Sequence, residues 1–154
     1  MDTNVLRKKL GDRHKLTAQR EAIFRVLNQS AKDHMSPEEV CTITRKTCPE
    51  VGLATVYRTL HLFEQVGVVK KLDVGKGRCL YELCKNVGHH HHMVCLECGC
   101  VLDMCLADSQ MEDNPGIYGG FQPVERRVLI YGYCSACLRK KKNLAKEAVA
   151  QSEC

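Results

Sequence analysis

Apolar positions in the first 84 residues fall at helical spacing three times and then switch to short alternating runs. Ile23, Phe24 and Leu27 recur on one face after Thr17, a residue suited to an N-cap, and Asn28-Gln29-Ser30 closes that segment. A sharper start follows at Ser36-Pro37-Glu38-Glu39, where an N-cap serine, a proline at the first helical position and a glutamate at the third make a capping box. Its helix carries Val40 and Ile43 and is expected to stop near Cys48-Pro49. A third helix is expected from Leu53 or Ala54 to a terminal Gly67. Its Val56, Leu60, Phe63 and Gly67 would face the core, with Thr55, Tyr57, Arg58 and His61 outside. The runs 68–72 and 78–82 then flank Gly75-Lys76-Gly77, a hairpin signal. Helices followed by a basic hairpin describe a winged helix, whose third helix enters the major groove while the hairpin lies along the backbone.

Charge divides the chain in the same place. Residues 1–84 hold 15 Lys and Arg against 10 Asp and Glu, and residues 85–154 hold 8 against 8, so the net charge of +5 lies in the first part. Such an excess permits nucleic-acid binding without proving it. Arg58 can donate two bonds to a guanine edge or one to a phosphate, and Tyr57 can pack on a thymine methyl. The plain alternative is a solvated helix face with one ordinary arginine. A chain of 154 residues makes one domain or two small ones. The expected division is a DNA-binding domain over 1–84 and a metal-binding domain over 85–154 with a basic tail from Arg139.

The second part changes the picture through its cysteines. Cys95-Leu96-Glu97-Cys98 and Cys134-Ser135-Ala136-Cys137 are two Cys-x-x-Cys pairs, the first preceded by His89-His90-His91-His92. Each pair chelates one tetrahedral ion without strain, and two pairs complete the shell of a structural zinc. Disulfide or redox pairs are the competing reading. No apolar stretch resembles a signal peptide or a membrane span, which points to the reducing cytosol and so to zinc. Alternation along a strand puts His90 and His92 on one face, suited to joint ligation, and His89 and His91 on the other. A zinc hydrolase or deaminase would need an open metal position and a general base, yet neither His-x-Glu nor His-Glu-x-x-His occurs.

Four linked motifs carry a family resemblance: Leu16-Thr17-Ala18-Gln19-Arg20; Ala54-Thr55-Val56-Tyr57-Arg58-Thr59-Leu60; the histidine run entering Cys95-x-x-Cys98-Gly99; and Ile130-Tyr131-Gly132-x-Cys134-x-x-Cys137. Their order and spacing, from about residue 5 to residue 140, resemble the ferric uptake regulator family. The resemblance implies an α+β homodimeric repressor with an N-terminal winged helix-turn-helix and a C-terminal α/β dimerisation domain holding structural zinc. It implies binding to a palindromic operator, a cytoplasmic location, and no enzymatic activity. Lys15 matches the family's minor-groove residue, and Thr55, Tyr57 and Arg58 lie on its recognition helix. Cys95, Cys98, Cys134 and Cys137 match the structural zinc site.

A second, regulatory metal is expected from the same resemblance, with His34, Cys84, His90, His92 and Asp103 at the corresponding positions. A thiolate at Cys84 favours zinc over iron or manganese, and the pattern resembles zinc uptake regulators of the family. Two readings of Cys84 compete, a ligand and a buried small apolar residue. Asp73, His34 and Asp103 compete as the further ligand. The alternative function is iron- or manganese-responsive control of iron uptake or peroxide defence. A further family site looks degraded, because Gln110 and Arg126 stand where ligands are expected and leave only His89 and His91. Pro115-Gly116 and Gly119-Gly120 interrupt the expected dimer-side helix. Cys100 and Cys105, close to the first pair, are open to a redox role or to further metal binding, and Cys79 receives no assigned role.

Overall fold

A computed structural model describes residues 2–75, 77–84, 90–104, 119–122 and 128–141. The chain divides into two compact units, Met1–Val87 and Gly88–Cys154. Among the described residues, no helix is long and apolar enough to cross a membrane.

The first unit contains α1 (Thr3–Leu10), α2 (Ala18–Gln29), α3 (Pro37–Thr44), α4 (Leu53–Gln65) and an antiparallel hairpin of β1 (Val69–Asp73) and β2 (Cys79–Leu83). Three of the helix ends follow their local chemistry. The Thr17 hydroxyl accepts the Arg20 N–H at 3.3 Å, capping α2. At α3 the capping box closes reciprocally: Ser36 Oγ accepts the Glu39 N–H at 3.2 Å, and Glu39 Oε2 accepts the Ser36 N–H at 2.9 Å. At the end of α4, Gly67 takes a φ of 67°. Its N–H bonds the Glu64 carbonyl at 3.0 Å and the Val68 N–H bonds that of Phe63 at 2.7 Å, the paired closure that a left-handed glycine permits.

Leu6, Ile23, Phe24, Val40, Val51, Val56, Leu60, Phe63 and Val68 fill the core of this unit, with the Phe24 and Phe63 rings edge to face at 6.4 Å. Three points differ from the sequence expectation. α1 was not expected, and it contributes the buried Leu6 and Leu10. α3 ends at Thr44, where hydrogen bonds from Lys46, Thr47 and Cys48 back to Ile43 and Thr44 turn the chain. Gly67 is exposed and belongs to the cap, while Thr59 and Leu62 join Val56, Leu60 and Phe63 on the buried face.

The second unit is a three-stranded sheet in the order β4-β3-β5. β3 (His91–Cys95) pairs antiparallel with β4 (Val101–Met104) and parallel with β5 (Leu129–Gly132). Residues 135–141 form a further helix, α5. On it, Lys141 lies 3.1 Å from the Glu97 carboxylate and 3.7 Å from the Tyr133 ring centroid, so this part of the basic tail is anchored to its own unit. The proposed interruption of a helix at Pro115-Gly116 lies outside the described residues. So do His89, Cys105, Gln110, Arg126, Lys142 and Cys154.

Candidate metal centres and nucleic-acid face

The thiol centre is built by two turns. β3 ends at Cys95, and Gly99, with φ of 69°, reverses the chain so that its N–H bonds the Cys95 carbonyl at 2.9 Å. β5 ends at Gly132, whose carbonyl accepts the Leu96 N–H at 2.7 Å, and the chain then delivers Cys134 at the start of α5. The Cys134 N–H reaches the Cys95 sulfur at 3.3 Å. The sulfurs of Cys98 and Cys134 stand 3.8 Å apart. A tetrahedral zinc with sulfurs at about 2.3 Å sets neighbouring sulfurs about 3.8 Å from each other, so this edge fits the ion.

Sulfur protonation follows the donors. Backbone N–H groups of Cys134 and Cys98, joined by that of Glu97, hold the Cys95 thiol down at about 5 despite its burial, and backbone and thiol donors of Cys137 lower Cys134. Interaction with the neighbouring thiol of Cys134, together with burial and the thiols of Cys98 and Cys95, pushes Cys137 up to about 12. Two thiols thus ionise readily beside others that keep their protons, and a dication would supply the charge that deprotonates the rest. Three of the four expected cysteines, Cys95, Cys98 and Cys134, share one cluster, and Cys137 lies beside it. A fifth, Cys100, stands with them: its sulfur and those of Cys95, Cys98 and Cys134 all lie within 4.8 Å of one another. The sequence places it close to the first pair without assigning it a vertex.

Each unit also carries a nitrogen and oxygen donor set. In the first, a β-bridge joins Met35 to Tyr81, with N–H to carbonyl distances of 3.0 and 2.8 Å. Antiparallel pairing there sets His34 opposite Glu82. His34 Nε2 lies 3.1 Å from Glu82 Oε2, and the two side chains keep only 6% and 8% of their exposure. A carboxylate buried this deeply calls for a cationic or donor partner. Glu82 was missed by sequence reasoning. Its only signal was an acid among the apolar residues Leu80, Tyr81 and Leu83.

In the second unit, His92 pairs in register with Asp103 across β3 and β4. His92 Nε2 and His90 Nε2 lie 3.6 and 3.9 Å from Asp103 Oδ1, and the two imidazoles meet edge to face at 4.8 Å. The expected pairing of His90 with His92 on one face is thereby seen. His91 is buried on the other, and its Nδ1 accepts the Val128 N–H at 3.3 Å. That bond makes His91 part of the sheet packing. Cys84 follows β2 and is half-buried, its thiol pushed up by burial against the opposing pull of Lys9 and Lys70. Asp73, at the end of β1, accepts the Gly75 N–H at 2.8 Å and so serves the hairpin turn.

On α4, Tyr57 and Arg58 are exposed and Thr55 is half-buried. The Tyr57 hydroxyl donates to Glu38 Oε1 at 2.7 Å, tying the face of α4 to the start of α3. Lys15 is exposed in the loop before α2, and its carbonyl accepts from Arg20 at 2.6 Å.

A winged helix joined to a metal-ligating unit defines a class, the metal-binding regulators of transcription. Residues 12–131 match the model of the ferric uptake regulator family. A ferric uptake regulation protein of Bacillus subtilis (strain 168) is 41% identical over 133 residues, covering 83% of this chain and 88% of its own length. The structure of the Vibrio cholerae ferric uptake regulator matches with a TM-score of 0.74 and 32% identity, over 86% of this chain and all of that one. That of the Helicobacter pylori regulator, described as having three functional metal binding sites, matches with a TM-score of 0.77 and 25% identity over 88% and 91% of the two chains.

The chain belongs to the ferric uptake regulator family. It is therefore a metal-binding, DNA-binding transcription regulator and not an enzyme, which removes the hydrolase alternative. Regulators of this family bind operator DNA as dimers.

Proposed function

We propose that this protein is a repressor of metal-uptake genes that senses a divalent ion through His34, Glu82, His90, His92 and Asp103, with iron or manganese favoured over zinc. The supporting observation is the buried His34–Glu82 pair. It supplies an imidazole and a hard carboxylate in the first unit, and the second offers two imidazoles and a carboxylate around Asp103. Donor sets of this kind suit ferrous or manganous ions, whereas a thiolate would shift preference toward zinc. An ion that takes ligands from both sets would couple the two units. With that coupling, the recognition helices of a homodimer hold one fixed separation, and Tyr57 and Arg58 meet two half-sites of a palindromic operator. Lys15 and Thr55 add contacts beside them. The response is limited by how much better the DNA-competent arrangement holds the ion. Cys95, Cys98, Cys134 and Cys137 hold a structural zinc in this reading, in the cytoplasm.

A zinc-responsive reading has its own support in Cys84, two residues past Glu82 and so on the same side of an extended strand. The test is anaerobic titration of the dimer with Mn2+, followed through the electron paramagnetic resonance of the free ion, and with Zn2+ and Co2+. Glu82→Gln is expected to weaken Mn2+ binding by roughly 10–100-fold, with Cys84→Ser close to the parent protein. A cobalt-thiolate absorption that vanishes in Cys84→Ser, with Glu82→Gln unaffected, would transfer the assignment to zinc.

A further inference from the structure

Cys100 belongs to neither Cys-x-x-Cys pair, yet the turn that presents Cys95 and Cys98 also brings it back to them. Its carbonyl accepts the Cys95 N–H at 2.9 Å, which pairs the two residues across the Gly99 reversal. Its sulfur then shares a 4.8 Å cluster with those of Cys95, Cys98 and Cys134. Cys137, three residues beyond Cys134 on α5, is buried close enough to the same three thiols to interact with each. Three thiols are thus common to two sets, and two thiols compete for the fourth vertex of one tetrahedron.

Zinc has no geometric preference of its own from d-electrons and expands readily to five ligands, so exchange at one vertex carries little electronic cost. We propose that Cys100 is an alternate ligand, giving the thiol centre two interchangeable four-sulfur shells: Cys95, Cys98 and Cys134 with Cys137, or the same three with Cys100. In the exchange the metal bond to one sulfur breaks as the other forms. The entering thiol gives up its proton and the leaving thiolate takes one, so charge and oxidation state are unchanged. Loss of either fourth thiol to alkylation or oxidation then leaves a complete shell. The ion bound is a soft divalent one, with Zn2+ as occupant and Co2+ as probe. This inference rests on the reading that the cysteine cluster holds a metal.

The experiment is anaerobic Co2+ loading of the full chain and its variants, reading thiolate-to-cobalt absorption per bound ion. Cys100→Ser and Cys137→Ser are each expected to keep the parent intensity, while the double variant loses about a quarter, one sulfur in four. Cys137→Ser alone losing that quarter would overturn the inference by showing a fixed shell, and so would Cys100→Ser alone losing it. Absence of any thiolate absorption in the parent protein would instead overturn the metal reading beneath it. Maleimide labelling of the zinc-loaded parent, resolved by peptide, provides a check independent of folding in the variants. Label shared between Cys100 and Cys137 supports exchange, and label on Cys100 with none on Cys137 refutes it.

Discussion

The two units solve the problem of stability in different ways. The first buries Leu6, Ile23, Phe24, Val40, Val56, Leu60 and Phe63 almost completely, an apolar core drawn from all four helices. In the second, the buried residues among those described are His91, Val94, Cys95 and Cys137, of which two are thiols of the candidate zinc centre. Meanwhile Leu102, Phe121, Ile130, Tyr131, Tyr133 and Leu138 are exposed. A small unit that buries little apolar surface depends on a metal, a disulfide or association to stay folded. Among the described residues, the first unit is held by packing, and the second offers thiols for ligation in place of an apolar core.

That contrast predicts its largest effect on metal removal. Structural zinc contributes about 10–16 kcal/mol of apparent binding free energy to small zinc domains. Stripping the metal, or Cys95→Ser, should abolish amide-exchange protection in β3, β4 and β5 and leave that of α2 and α4 intact. Protection lost equally in both units would refute the division. The reciprocal change is Phe63→Ala, which opens a cavity in the first core and should cost about 3–5 kcal/mol. Its measure is chemical denaturation followed through α4, with zinc stoichiometry unchanged. A smaller effect is expected from Arg58→Ala, about 1–3 kcal/mol of operator affinity if it reads a base edge. A uniform loss across sequences would make Arg58 a phosphate contact instead.

The same contrast explains what the sequence made legible. The capping box of α3, the cap at Thr17 and the glycine closure of α4 are local, each written within a few residues, and all three appear as read. The wing strands fall one residue from their expected bounds. α1 escaped notice because eight residues with two buried leucines give too little periodicity. Glu82 escaped because its partner His34 arrives through a bridge between Met35 and Tyr81, a non-local pairing that no spacing encodes. Cys84 drew attention in its place as the more unusual residue. Cys100 was visible beside the first pair but undecided, since two Cys-x-x-Cys pairs already fill a tetrahedron and only the Gly99 reversal brings the fifth thiol to the others.

The smallest effects should come from the start of α3, where packing and polar chemistry in the first unit can be separated. Ser36→Ala removes the acceptor for the Glu39 N–H and should cost about 1 kcal/mol. Glu39 itself adds a pH dependence. Burial pushes its carboxyl up, but donation from Lys32 and from the Ser36 N–H outweighs this and leaves it below the usual value of 4.5. A folded-state value below the unfolded one means that the stabilisation is present above the unfolded value and is lost as pH falls through the folded one. Glu39→Gln should therefore flatten the acid limb of the stability profile below about 4.5, with a cost near neutral pH under that of Phe63→Ala. Equal acid sensitivity in Glu39→Gln and the parent would show that the acid limb belongs to other carboxylates, and that the first unit depends on its apolar core with little help from this cap.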